Sequence, residues 1–275
     1  VVTQEQRKRQ LAREKFLRQQ QRRTSARRKA RVRNSVIASV LGVILIGSLA
    51  LYTTGVLKDD GDDKANASAS ASPSAEPSPS AAKDPCEKPA AGKVKTQSWK
   101  KEPALTIDKS AKYTMKLATT CGDIDIALKT SAAPHTVNSF DFLANKGYFD
   151  HTKCHRLTTN NIYVLQCGDP TGSGSGGPGY TLPDENLKDK SLKDNVYPAG
   201  TIAMANTGQA HTGGSQFFLV FQDSQLPPSY TPFGTVSESG MTVLKKIAAA
   251  GESTGAGDGA PNATVVINKA TVKKS

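Results

Sequence analysis

Two stretches of this 275-residue chain, 152–168 and 200–221, carry its densest pattern of polar and aromatic side chains and contain no carboxylate. That argues against chemistry by paired acids, in which one carboxyl protonates while another attacks or deprotonates. The same stretches carry Arg156, Gln166, Asn206 and Gln216 beside Tyr163, Phe217 and Phe218. A permanent cationic donor, neutral amides and apolar walls suit a reaction that breaks no bond. Rotation about an X–Pro peptide is such a reaction, with a barrier of about 18–20 kcal/mol set by C–N resonance. A donor on the prolyl nitrogen weakens that resonance as the bond twists, and arginine can donate at any physiological pH.

Other constellations are weaker. Ser215 follows two glycines and could be paired with His155 or His211, but it enters a strand and lacks the Gly-x-Ser-x-Gly elbow of a nucleophile. The glycine-dense run from Gly168 to Gly177 lacks the Gly-Lys-Ser/Thr ending of a phosphate cradle and reads as a long surface loop. Cys86, Cys121, Cys154 and Cys167 have no metal-ligand spacing. Neither a metal nor a cofactor is expected.

These residues need a scaffold. Tyr113, Met115 and Leu117 alternate with polar neighbours, as do Ile124, Ile126 and Leu128 after a turn at Cys121-Gly122-Asp123, which predicts a hairpin. Val137, Phe140 and Leu143 have helical spacing between Pro134 and Asn145, with Gly147 as a stop. Further strands are expected near 153–158, 162–167, 200–205, 216–221, 232–237 and 263–271, and a second helix near 240–250. Eight strands and two helices do not alternate as βα units. A mainly β fold is therefore expected, a closed eight-stranded antiparallel β-barrel capped by two α-helices.

Charge divides the rest. The chain carries a net +12, and residues 1–33 hold 13 Lys or Arg against two Glu. The excess thus lies on a tail too polar to bury a core, which suits anionic lipid and gives no reason to expect nucleic acid. Residues 34–57 are uncharged and apolar, and about 20 such residues cross a bilayer. Five Lys or Arg precede this segment and four Asp follow it, which predicts a single transmembrane helix with the N-terminus cytoplasmic and the domain extracellular. A cleaved export signal is the alternative reading, given Ser48-Leu49-Ala50, but the apolar run exceeds the ~7–15 residues of such signals. Residues 58–85 are a Ser/Ala/Pro tether, 86–111 an extension pinned to the domain, and 112–275 the domain itself.

The motifs His155-Arg156, Tyr163-Val164-Leu165-Gln166-Cys167-Gly168-Asp169 and Gly176-Gly177-Pro178-Gly179-Tyr180 occur in that order. Met204-Ala205-Asn206, Gly214-Ser215-Gln216-Phe217-Phe218 and Tyr230-Thr231-Pro232-Phe233-Gly234 follow. Together they resemble the cyclophilin family of peptidyl-prolyl isomerases, in its membrane-anchored exported form. The resemblance implies that Arg156 is catalytic and that Gln166 holds it and the substrate. It implies a proline pocket of Tyr163, Val164, Phe218, Leu226 and Tyr230, and a backbone-binding set of Ala205, Asn206 and Gln216. Adjacent strand residues face opposite ways, so Phe217 is expected in the core. The expected partners are proline-containing polypeptides, the membrane through 34–57, and anionic lipid near the tail. Tyr163, Val164 and Tyr230 stand where the family commonly has Phe, Met and His, and the turn Thr158 to Asn161 is two residues longer than in well-known members.

An even cysteine count outside the membrane favours two disulfides over three possible connectivities. A hairpin centred between Asn160 and Asn161 sets Cys154 directly opposite Cys167, within bridging distance. Cys86 and Cys121 are then left to each other. The predicted topology has a direct check: protease added to intact cells should remove the domain and spare a tag before Val1. Protection of a C-terminal tag would reverse the orientation.

Overall fold

The computed structural model describes residues 84–274. The basic tail, the apolar segment 34–57 and nearly all of the tether lie outside the described residues. Among the described residues no helix is long and apolar enough to cross a membrane.

The first hairpin forms as its alternation requires. β1 (Tyr113–Thr119) pairs antiparallel with β2 (Gly122–Leu128), with Met115 opposite Ile126 and Leu117 opposite Ile124. All four side chains are buried on one face. The helix α1 (Pro134–Asn145) starts on its proline, which fixes φ where no N–H partner is needed. Val137, Phe140 and Leu143 are fully buried, and Gly147 ends the helix at φ 64°, a conformation that a side chain disfavours. The helix α2 (Glu238–Ala249) begins two residues before the expected start. Its cap is Ser237, whose hydroxyl accepts from the Gly240 N–H at 3.1 Å, with Glu238 in the first turn.

The remaining strands are β3 (Thr152–Lys153), β4 (Arg156–Asn160), β5 (Ile162–Cys167), β6 (Val196–Tyr197), β7 (Thr201–Met204) and β8 (Phe217–Val220). They are followed by β9 (Ser224–Gln225), β10 (Pro232–Val236), β11 (Asp258–Gly259) and β12 (Val266–Lys274). Ten strands form one curled sheet in the order β11-β4-β5-β8-β7-β10-β2-β1-β12-β3, and β6 pairs with β9 separately. The fold is thus mainly β with two helices. In place of a closed barrel of eight strands, the ladder among the described residues runs from β11 to β3 without a pairing between these ends.

The difference has a local cause. A single strand was expected near 153–158, but the chain switches partners at Cys154-His155. The Cys154 N–H donates to the Val265 carbonyl at 3.0 Å, on the β12 side, and the His155 N–H to the Gln166 carbonyl at 3.1 Å, on β5. His155 and Arg156 therefore both face Gln166, since Arg156 is its ladder partner. Two residues against one is a β-bulge.

The bulge also corrects the hairpin register. The β4–β5 turn is centred on Asn161, with Asn160 opposite Ile162, half a residue from the expected centre, which shifts the pairing by one residue. The extra residue at the bulge compensates and brings Cys154 against Cys167. Both expected disulfides are present, Cys154–Cys167 and Cys86–Cys121.

The core is aromatic at its centre. Phe140 of α1 meets Phe149 at 5.2 Å, Phe217 at 5.6 Å and Phe233 at 4.6 Å between ring centroids, and all four are fully buried. Truncating one such ring typically costs about 3–5 kcal/mol.

The extension before β1 has no helix or strand but is fixed along its length. Cys86 is bridged to Cys121, the Glu87 N–H donates to the Thr120 carbonyl, and the Trp99 N–H donates to the Pro178 carbonyl at 2.8 Å. The Trp99 ring packs on Phe142 at 5.1 Å and Tyr148 at 5.9 Å. Buried Asn138 of α1 takes the Thr106 N–H on its Oδ1 at 2.9 Å.

The glycine-dense loop is wound around the buried carboxylate of Asp169. One oxygen accepts from the Thr171 N–H at 2.7 Å and its hydroxyl at 2.8 Å. The other accepts from the N–H groups of Gly174 at 2.7 Å and Gly176 at 3.1 Å. Burial alone raises this carboxyl, but the donors from Gly176, Thr171 and Gly174 outweigh it and lower it to about 2. A carboxylate depressed in the folded state stabilises it above the ordinary carboxylate range, and that stability is lost as acid passes from there down to about 2. Asp169→Asn would leave amides of the loop facing an NH₂ group, at a cost of about 1.5–3 kcal/mol. The expected result is a Tm lowered by about 4–8 °C at neutral pH, with the gap to wild type closing below pH ~3. Thermal unfolding across pH checks both.

Candidate active site

β5 runs between β4 and β8, and its alternation sorts its side chains. Leu165 and Cys167 join the core around Phe140, while Ile162, Val164 and Gln166 face the other way. On β8 the same rule sends Phe217 to the core and Phe218 to the opposite face, where Phe218 pairs across the ladder with Gln166 and Ala203. Phe218, Val164 and Ala203 form a second apolar cluster with Tyr197 and Val220, and Leu226 and Tyr230 pack against it. This cluster floors a cavity of about 180 Å³.

Arg156, Ile162, Val164, Gln166, Ala205, Asn206, Phe218, Leu226 and Tyr230 line that cavity. Eight of the ten residues expected at the site are thus brought together. Gln216 sits beside them: the Gln166 Nε2 donates to the Gln216 Oε1 at 2.9 Å, and the Gln216 Nε2 donates to the Gly176 carbonyl at 2.9 Å. Tyr163 is not in the lining; its ring packs edge-on to Phe221 at 6.0 Å. The alternation that separates Phe217 from Phe218 also separates Tyr163 from Val164, and a period of two from Val164 would have found Ile162.

Arg156 lies at the cavity edge with its guanidinium held on two sides. Its Nε and Nη2 donate to the Asp258 carboxylate at 2.7 and 2.9 Å, and its Nη1 donates to the Gln166 Oε1 at 3.2 Å. The bond to Asp258 holds the guanidinium above its ordinary value, with burial opposing. The guanidinium thus pairs with a half-exposed acid and also takes a place in the cavity wall. Asp258 is 102 residues away in sequence, so no local spacing pointed to it. Its loop is itself tied down, as the Gly257 N–H donates to Glu252 at 2.8 Å and the Thr159 N–H to the Gly257 carbonyl at 3.0 Å.

Tyr197 was also missed. It is fully buried beneath Tyr230, donates its hydroxyl to the Tyr230 carbonyl at 2.8 Å and accepts from the Tyr230 N–H at 3.2 Å. Burial pushes its phenol up to about 12, so it keeps its proton. Phe218 then meets the Tyr230 ring edge-on at 5.4 Å. The Asn206 Nδ2 donates to the Ser229 carbonyl at 2.8 Å, fixing the opposite rim.

The hydrolytic alternative is not assembled. Ser215 is buried, donates to the Gly168 carbonyl at 2.7 Å and lies 3.1 Å from the Tyr148 hydroxyl, while both ring nitrogens of His155 have no partner. Burial lowers the His155 imidazole, which favours its neutral form. Among the described residues no cluster of His, Cys, Asp or Glu could hold a metal.

A larger groove of about 940 Å³ adjoins the small cavity and shares Gln166, Ala205 and Asn206 with it. Its walls include residues 174–181 and, from the extension, Lys100, Lys101 and Glu102. The whole site is therefore a cup with an apolar floor and a fixed cation at its edge, opening into the larger groove.

The family model described as cyclophilin type peptidyl-prolyl cis-trans isomerase/CLD matches residues 114–272. The chain is 45% identical over 194 residues to the "Probable peptidyl-prolyl cis-trans isomerase B" of Mycobacterium leprae, covering 68% of this chain and 61% of that protein. It is 43% identical over 191 residues to the protein of the same name in Mycobacterium tuberculosis, covering 66% and 58%. It thus spans about three fifths of the length of these relatives. Among solved structures, a cyclophilin type peptidyl-prolyl cis-trans isomerase of Cryptosporidium parvum matches with a TM-score of 0.50 and 26% identity, over 60% of this chain and 99% of that one. The family match takes in more than half of the chain and every residue that lines the small cavity, and the chain belongs to the cyclophilin-type peptidyl-prolyl cis-trans isomerase family.

Proposed function

We propose that this protein isomerises X–Pro bonds in polypeptides, with the proline ring in the cup of Val164, Phe218, Leu226 and Tyr230. The observation that carries the reading is the placement of a guanidinium, fixed by Asp258 and Gln166, at the edge of an apolar cavity. Three of the five guanidinium N–H groups are engaged, which leaves one on each terminal nitrogen. As the peptide twists, the prolyl nitrogen regains its lone pair and accepts from Arg156. This bond is strongest at the transition state and so acts on turnover. Gln166 holds Arg156 in place, while Ala205, Asn206 and Gln216 offer the peptide backbone its partners. Tyr163 supports the sheet behind the pocket.

We further infer that its substrates are exported proteins, met outside the membrane by a domain anchored through residues 34–57, with the basic tail against anionic lipid. The charge asymmetry about that segment supports this. So does the pairing of all four cysteines, which suits an oxidising compartment. The curled sheet, whose end strand β3 and the second strand from its other end, β4, are joined by only Cys154 and His155, is compatible with the barrel of the family resemblance.

Arg156→Ala in the full-length chain should lower kcat/KM on a proline peptide by ~10²–10³, in line with loss of one preorganised donor. Its Tm should stay near that of wild type, because the pair with half-exposed Asp258 is worth at most ~1 kcal/mol. A folded variant that keeps more than about a third of the activity would contradict the mechanism and leave peptide binding as the function. Asp258→Asn should lower kcat by about 3- to 10-fold with little change in KM, since it loosens the donor without touching the cup. An unchanged kcat would assign Asp258 to surface charge alone.

A further inference from the structure

Lys100 and Lys101 line the large groove but belong to the extension, outside the segment 114–272 matched by the family. Both are exposed, and neither has an ion pair or hydrogen bond among the described residues. Their backbone is nevertheless fixed. The Trp99 N–H donates to the Pro178 carbonyl, and the Trp99 ring is seated on Phe142 and Tyr148. Gly179, at φ 88°, lies so close beneath that a Cβ there would collide with Ser98 and the Trp99 carbonyl. The extension thus lies flush on the groove wall, and the two ammonium groups have no neighbour to neutralise them.

The acidic groups nearby are already occupied. Glu102 reaches the His135 Nδ1 at 3.3 Å. Asp169 is turned inward and accepts from Thr171, Gly174 and Gly176. The groove lining therefore presents two free cations against one partnered carboxylate.

We propose that Lys100 and Lys101 make this groove select substrates with an acidic side chain a few residues from the proline. The inference rests on the proposed isomerase reading, because a peptide with its ring in the small cavity reaches the lysines by passing over Gln166, Ala205 and Asn206, which both cavities share. Exposed pairs are individually weak and screened by salt. The selectivity is accordingly modest, ionic, and lost at high ionic strength.

The test uses the full-length chain and unmodified peptides with an Ala-Ala-Pro-Phe centre. Glu, Gln or Lys is placed in turn at the second, third or fourth residue before the proline or after it. Exchange NMR gives turnover, and titration of the same peptides gives binding. At low salt the best Glu peptide should exceed its Lys counterpart by about three- to tenfold in kcat/KM, and the gap should fall below about twofold in 1 M NaCl. In the Lys100→Glu/Lys101→Glu double variant the Glu-to-Lys ratio should invert. Equal turnover of Glu and Lys peptides at every position, alongside normal turnover of the Gln peptides, would overturn the selectivity and leave the isomerase reading standing. If no peptide were turned over, the isomerase reading would fail, and the Glu-to-Lys ratio in binding would still decide the selectivity. A preference for Glu that survives the double variant would assign it elsewhere and overturn the role of these lysines.

Discussion

His155 and Arg156 share one partner across the ladder, Gln166, and much else in the molecule depends on that bulge. It moves the strand from the β12 side of the sheet to β5, so β3 at one end of the hydrogen-bond ladder and β4, second from the other end, are consecutive pieces of chain. It shifts the register by the one residue that sets Cys154 against Cys167. It also turns Arg156 toward the cavity while Leu157 stays in the core. Bulges re-aim side chains in this way because the extra residue breaks the strict alternation of faces. The disulfide next to the bulge holds the two strands together where the ladder is irregular.

Alternation does the rest of the sorting. β5 and β8 each place one set of side chains in the core around Phe140 and the other in the cluster around Phe218. The apolar floor of the site is therefore the reverse side of two core strands, and its shape is set by the same packing that stabilises the fold. A change in the Phe140 cluster would be felt in the cup through the backbone of these strands, since close-packed interiors transmit strain.

The rims are loops, and a polar residue helps to fix each of them. Asp169 gathers the N–H groups of Thr171, Gly174 and Gly176 in the glycine-rich segment, Glu252 organises the loop that carries Asp258, and Asn138 ties the extension to α1. Short donors to a carboxylate can hold a backbone that has too few apolar side chains to pack. This lets the sequence spend glycine and small residues where the groove must stay open, at Gly174, Gly176 and Gly177.

Elements whose side chains repeat with a period could be read from the chain alone. The first hairpin, α1, the strands at 162–167 and 216–221, the core place of Phe217 and the two disulfides were legible, because each follows from local spacing or from the few ways four cysteines can pair. Most of the cavity was legible as well, through motifs that lie on those strands. Tyr163 lies outside the cavity lining, on the side to which alternation turns it, and the same alternation brings in Ile162. The remaining features come from contacts between distant segments. The bulge depends on two competing partners, β12 and β5, and the Asp258 carboxylate meets Arg156 across 102 residues. Tyr197 slips beneath Tyr230 from a separate two-stranded sheet, and the extension lays Lys100 and Lys101 along the groove. Contacts of this kind join segments distant in sequence, so no local pattern encodes them, and they exist only once the sheet has curled and brought those segments side by side.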